Sequence, residues 1–197
     1  MNKTHLVGAL CAVLFTFVTV PANAELISRL GGQAAYDTVL DITWLTDADF
    51  GGSNTWTNLV AWVDSLNKAN HLGFDDWRLA SMSVDAGLPL GTATHVYDCS
   101  MATELACRDN ELGYMYYNNL SIVASSNKTG TFFVNGVRLS NVQRFYWSGT
   151  EYDSNGAWSF YFNVGDQFNL VKRGSSHGWV VRSGDVGAVL LPSAVRQ

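Results

Sequence analysis

Cysteine, proline and charge are all scarce in this chain. Its 197 residues include three cysteines, three prolines and four histidines, and only 15% are Asp, Glu, Lys or Arg. The shortage of Cys and His weighs against a metal centre: a structural zinc site wants four ligands, and Cys99 and Cys107 have only His95 near them in sequence. His71 and His177 lie far off, and no H-E-x-x-H or G-x-S-x-G pattern occurs, so no catalytic residues are assigned. Twelve Lys and Arg against 17 Asp and Glu, with the basic residues scattered, argue against nucleic acid as a partner. After Val20 every apolar run is broken within about eight residues, well short of the roughly 20 needed to span a bilayer, so the mature chain is expected to have no membrane span.

The one long apolar run is at the start. Lys3, the stretch LVGALCAVLFTFVTV and then Ala22-Asn23-Ala24 have the charged, apolar and small-residue parts of a secretory signal peptide, with cleavage expected after Ala24. The expected location is secreted, periplasmic or cell-surface, and about 170 residues remain, enough for one domain with a sizeable core. Cys11 leaves with the signal. Cys99 and Cys107, paired in an exporting compartment, would close the small loop CSMATELAC as a disulfide.

Along the mature chain, GGQAAYDTVLDITWL reads as two short strands with a turn near Leu40 and Asp41. DADFGGSN reads as a loop. It leads into a helix whose apolar stripe is Trp56, Leu59, Val60, Val63 and Leu66, capped by Asn54 or Thr55 and ending near Asn70, with Trp62 off the stripe. MSVDAGLPLGTATHVYD reads as a long loop pinned by the disulfide. Arg108 to Leu120 is expected to be a second helix with Leu112, Met115, Tyr116 and Leu120 inward. From Phe132 the period becomes two: Trp158, Phe160, Phe162 and Val164 alternate with Ser159, Tyr161 and Asn163, and a last strand GWVVRSG places Trp179 and Val181 opposite Val180 and Arg182. Strands, two helices, a long loop and an antiparallel sheet make an α+β domain.

Taken together, RLGGQAAYDTVLDITWLTDADF, TWTNLVAWVDSL, GFDDWRLAS, ELGYMYYNNL, YWSGTEYDSNGAW and WVVRSGDVGAV resemble, in that order, the Lcl C-terminal domain family, many of whose members are exported bacterial proteins with PEP-CTERM tails. The resemblance covers residues 25–186. It implies a C-type-lectin-like fold of the formylglycine-generating-enzyme type, with two helices packed on a twisted antiparallel sheet and long loops, and a role in adhesion or carbohydrate binding, including sulfated polysaccharides. LLPSAVRQ, within residues 187–197, resembles only the start of such a sorting tail, so release in soluble form is expected. The family often reads Trp-Arg-Leu-Pro where this chain has Ala80. No cysteine follows Cys107, whereas the formylglycine-generating relatives depend on cysteines in that half.

The remaining candidates are weak individually. Asp75 and Asp76 read as a polar turn that caps backbone N–H groups or pairs with Arg78, itself a half-buried anchor. Glu151, Asp153 and Asn155 followed by Gly156 imitate the start of a calcium loop, but Phe162 stands where that loop needs a bidentate Glu, and Asn-Gly is a hairpin signal. No cofactor is assigned. Trp44, Trp77, Trp147 and Trp158 are expected in the core, with Trp147, Trp158, Phe160 and Phe162 forming the apolar face of a hairpin whose arms join at Asn155-Gly156. The ligand-binding candidates are Glu151, Tyr152, Asp153 and Asn155 in the loop, with Tyr161, Asn163, Gln167 and Asn169 on the face opposite the core, and Arg144, Lys172 and Arg173 as a basic patch. Asn119 and Asn127 head glycosylation sequons, discounted in a chain of bacterial type. The expected function is a secreted, non-catalytic, lectin-like module for an extracellular polysaccharide or matrix component. A structural envelope or matrix protein working by protein contact, and an enzyme, are the alternatives.

Overall fold

The computed structural model describes residues 25–82, 110–120 and 129–187. The expected signal peptide with its cleavage site at Ala24, the expected loop at 83–98, the expected Cys99–Cys107 disulfide, Asn127 and the tail after residue 187 lie outside the described residues. The fold is mixed α+β, built mostly of antiparallel strands with two short helices.

Strands β1 (Leu26–Arg29), β2 (Ala34–Asp37) and β3 (Ile42–Leu45) form an antiparallel meander, and the turn at 38–41 falls where the sequence placed it. Asp41 takes a left-handed φ of 54° there, a conformation Asp tolerates better than most residues. After the two-residue strand β4 (Asn54–Thr55), helix α1 (Trp56–Lys68) begins as its capping pattern predicts: the Thr55 hydroxyl accepts a bond from the Asn58 N–H. Its stripe buries Leu59, Val63 and Leu66, with Trp56, Val60 and Trp62 half-buried. Strand β5 (Arg78–Leu79) follows. The second helix is shorter than expected: α2 (Glu111–Tyr114) is one α-helical turn that runs on as a π-helical turn through Met115–Asn119. Leu112, Met115, Tyr116 and Leu120 are buried as anticipated, and so are Glu111, Gly113 and Tyr114; with only Tyr117 and Asn118 half-buried, the element carries no clear amphipathic stripe.

The remaining strands are β6 (Gly130–Val134), β7 (Val137–Val142), β8 (Phe145–Glu151), β9 (Gly156–Tyr161), β10 (Asp166–Val171), β11 (Ser175–Gly178) and β12 (Val180–Ser183). One sheet has the order β1-β2-β3-β12-β5, a second β10-β9-β8-β11-β4, and β6 and β7 form a ribbon. All pairings between these strands are antiparallel except β8 with β11. Consecutive strands β11 and β12 belong to different sheets, so residues 175–183 stitch the two together. Trp179 sits at the crossing, fully buried, and donates its indole N–H to the Leu45 carbonyl at 2.8 Å.

Two cores result. The larger gathers Trp44, Tyr116, Tyr146, Trp158, Phe160, Phe162, Trp179 and Val181; the smaller, beneath α1, gathers Leu59, Val63, Trp77, Leu79, Trp147, Ala157 and Val180. Trp44, Trp77, Trp147 and Trp158 are therefore all core residues. Trp147 does not share a face with Trp158, however. It stands opposite Ser159 in the β8–β9 ladder and packs in the smaller core, because the second sheet is buried on both faces. Among the described residues no helix is long and apolar enough to cross a membrane.

Candidate functional site

The loop joining β8 to β9 carries the densest set of sequence candidates, and its polar atoms are committed to one another. Asp153 accepts backbone N–H bonds from Asn155 at 2.8 Å and Gly156 at 2.6 Å, while the N–H groups of Tyr152 and Asp153 both donate to the Gly156 carbonyl. Tyr152 lays its ring edge-on to Trp158 at 5.4 Å and is half-buried. Lys172, just after β10, comes in beside this loop: its ammonium donates to Glu151 Oε1 at 2.8 Å and to the carbonyls of Asp153 at 2.9 Å and Ser154 at 3.4 Å, and stands 4.6 Å from the Trp56 ring centroid. Of the side chains that imitate a calcium loop, Glu151 is thus paired with the Lys172 ammonium and the Asp153 Oδ1 atom is taken up by backbone N–H groups of its own turn. The Asn155 carbonyl accepts the Lys172 backbone N–H, completing a closed turn.

The expected face assignment holds for Tyr161 and fails for Gln167 and Asn169. Four residues, 162–165, separate β9 from β10, and the resulting register sets Gln167 against Phe160 and Asn169 against Trp158. Odd-numbered residues of β10 therefore share a face with even-numbered residues of β9. Gln167 is 2% exposed and its amide oxygen accepts from Asn110 Nδ2 at 3.0 Å, so it is an internal link to the start of α2. Asn169 is half-buried on the same side.

On the other face of this sheet, Phe145, Tyr161 and Phe168 come together beyond the part filled by the smaller core. The Phe145 and Tyr161 rings stack at 4.3 Å with planes 15° apart, and Phe168 meets them edge-on at 6.1 and 6.5 Å. All three are half-buried. The Arg144 guanidinium lies 5.9 Å from the Tyr161 centroid, and Asn163 Nδ2 donates to the Tyr161 hydroxyl at 3.1 Å. A partly open aromatic cluster with a cation and an amide at its edge can pack against the apolar face of a ring while hydrogen-bonding its hydroxyls. Of the sequence candidates this brings Tyr161 and Asn163 together. Phe145 and Phe168 were missed, and only strand pairing reveals them.

The expected basic patch is not one patch. Arg144 precedes the first residue of β8, whereas Lys172 and Arg173 lie beside Glu151 at its far end, about 20 Å away at the usual rise per residue. Lys172 is in any case engaged as described. Nor does Asp76 pair with Arg78. Asp76 makes a bidentate pair with Arg182 at 2.6 and 2.9 Å, and the guanidinium holds its carboxyl below the usual range. Arg78 instead grips Glu111, whose side chain is only 5% exposed, at 2.6 and 2.7 Å; Glu111 also accepts the Ser81 N–H. Asn119 is 5% exposed and its amide donates to Asp37, which closes that sequon to a glycosyl donor in the folded chain.

A cleft of about 500 Å³ runs between α1 and the edges of β5 and β8, floored by Val60, Val63, Trp77 and Leu79, with Arg78 and Thr150 on its walls. Those two polar walls are already satisfied: Arg78 by Glu111, and the Thr150 hydroxyl by the Met82 N–H and carbonyl. His177 Nδ1 lies 2.6 Å from Asp49 Oδ1, the one close His–carboxylate pair among the described residues, but no described hydroxyl or thiol bonds its other ring nitrogen. The described residues hold no cluster of three or more His, Cys, Asp or Glu able to bind a metal ion. Compared with known proteins, the chain matches no family model and no curated protein.

Proposed function

We propose that the protein is an exported, non-catalytic, C-type-lectin-like binding module whose ligand is an extracellular polysaccharide. The observation that carries the proposal is the Phe145–Tyr161–Phe168 surface with Arg144 and Asn163 at its rim. Support also comes from the signal-like N-terminus and from the sequence landmarks shared with the Lcl C-terminal domain family. Such a surface needs no metal: ring stacking supplies affinity, and the edge groups discriminate between hydroxyl patterns.

The test is retention of the mature protein on immobilised neutral and acidic polysaccharides, with calcium and with chelator. Tyr161→Ala should weaken binding about three- to tenfold, as expected for losing one aromatic contact, while Tyr161→Phe keeps most of it. Chelator should leave retention unchanged. Absence of binding to any polysaccharide at millimolar sensitivity, or wild-type retention by Tyr161→Ala, would overturn the proposal.

A further inference from the structure

The loop 47–52 and the turn at His71 enclose a recess of about 210 Å³, lined by Gln33, Leu45, Thr46, Asp47, Phe50 and His71 among others. That is roughly seven times the volume of a liquid-water molecule, room for one pyranose-sized body and too small for a drug-sized ligand. Phe50 is 46% exposed although large and apolar, and its ring lies 4.9 Å from the His71 ring at 31° and 6.0 Å from Trp62. Gly51 holds the loop against Trp62, since a Cβ there would fall 2.6 Å from the indole. The floor is Leu45 and Thr46. Two polar groups of the lining have no partner among the described residues. One is Asp47 Oδ2, whose neighbour Oδ1 takes the Asp49 N–H and the Asn141 amide; the other is the His71 imidazole, which makes ring contacts but no hydrogen bond. Burial lowers the His71 pKa, so at neutral pH the ring is uncharged and offers one donor and one acceptor.

This recess is fastened to the end of β7, just ahead of the strand that carries Phe145. Ala48 N–H donates to the Ser140 carbonyl at 2.9 Å, Asn141 Nδ2 to Asp47 at 2.9 Å and Gln143 Nε2 to Asp49 at 3.2 Å, so loop 46–49 lies along residues 140–143, just before Arg144 and Phe145. We propose that the Phe50–His71 recess is a second saccharide subsite, taking a single neutral sugar ring of a chain that also crosses the Tyr161 surface. This inference rests on the reading of the protein as a polysaccharide binder. Phe50 supplies the stacking face, and Asp47, His71 and Gln33 the hydrogen-bonding groups. Asp47 in the lining and Asp49 beside it disfavour a uronate or sulfated sugar by like-charge repulsion, so the recess selects neutral rings whatever the charge of the rest of the polymer.

The experiment is a titration of the isotope-labelled mature protein with glucose, galactose, N-acetylglucosamine and glucuronate, following the Phe50 and His71 ring signals by NMR. At least one neutral sugar should shift both rings at millimolar concentration, and glucuronate should shift neither. Phe50→Ala should abolish the shift, and Phe50→Trp should restore it. On a polysaccharide that retains the wild type, Phe50→Ala should weaken binding about fivefold and Phe50→Trp should not. Phe50 is exposed in a loop, and unchanged thermal melting of the variants will separate lost binding from lost fold. Undiminished polymer binding by Phe50→Ala, or no neutral sugar that moves the two rings, overturns the subsite and leaves the proposed function standing. Loss of polymer binding by the wild type itself sinks both.

Discussion

At the scale of single residues, Asp37 illustrates how a buried charge is kept. Its side chain is fully enclosed, yet Oδ1 accepts the N–H groups of Val39 and Leu40 at 3.0 Å each and Oδ2 accepts Asn119 Nδ2 at 2.6 Å. The Trp44 indole N–H has no partner in hydrogen-bonding geometry, but its dipole also favours the ionised carboxylate. Burial outweighs all of these and raises the Asp37 pKa. Asp37→Ala would strand three buried donors and should cost about 3 kcal/mol in chemical denaturation. A raised folded pKa means that the native state holds the proton more tightly than the unfolded chain. The carboxyl's titration therefore favours folding at low pH, and that contribution fades as pH rises from the unfolded value through the folded one. The stability gap between wild type and Asp37→Ala should accordingly narrow from pH 3 to pH 7; a gap that widened would reverse the assignment. The sequence showed the turn that Asp37 opens, through Leu40 and Asp41. It could not show Asn119, because that partner is 82 residues away and belongs to a helix without amphipathic pattern.

At the scale of elements, legibility followed periodicity. Helix α1 was readable to within a residue or two because one face is wet, and its Thr55 cap lies directly before it. Helix α2 is buried at all four of its residues, and its π-helical continuation exposes Tyr117 and Asn118 only in part, so the element gave no such contrast. Strand alternation correctly paired Trp158 with Phe160, and Trp179 does share the larger core with Val181, although the expected single strand GWVVRSG is broken at Trp179 between β11 and β12; alternation says only that neighbours point apart. Which residues of the next strand join a face depends on register, hence on turn length, and this is why Trp147, Gln167 and Asn169 lie on the other side from the one expected. The β9–β10 turn is fixed by Gly165, with φ of 78° and a carbonyl that accepts the Tyr117 hydroxyl at 2.9 Å. A Cβ at this position would lie 2.3 Å from that hydroxyl oxygen and 2.6 Å from the Tyr116 ring. Gly165→Ala therefore combines a left-handed backbone with overpacking and should destabilise by roughly 2–4 kcal/mol. An urea midpoint close to wild type would show that the α2 tyrosines can retreat, and that the turn does not set the register.

At the scale of the whole molecule, the fold is closed by its last strands. β12 inserts between β3 and β5, so the first sheet is complete only when residues 180–183 have joined strands laid down more than a hundred residues earlier. The alternation in GWVVRSG announced a strand there, but no local pattern announces its partners. Arg29 on the first strand reaches past it to Asp185 with a bidentate pair at 2.6 and 2.7 Å, and both side chains are about one-fifth exposed. The Arg29 hydrogen bonds hold the Asp185 carboxyl below the usual range. A depressed folded pKa gives stability that is present above the unfolded value and lost as pH falls through the folded one. A double-mutant cycle of Arg29→Ala with Asp185→Ala should therefore show coupling of about 1 kcal/mol at pH 7, the upper end for a solvent-screened pair because its geometry is bidentate. The coupling should fade as pH falls below the ordinary carboxylate range and shrink in high salt. If it were absent at pH 7, the closing segment would be held by the β12 ladder, Trp179, the Thr43 hydroxyl on the Gly184 carbonyl and the Asp76–Arg182 pair, and the charged clasp of Arg29 on Asp185 would contribute nothing to the closure it spans.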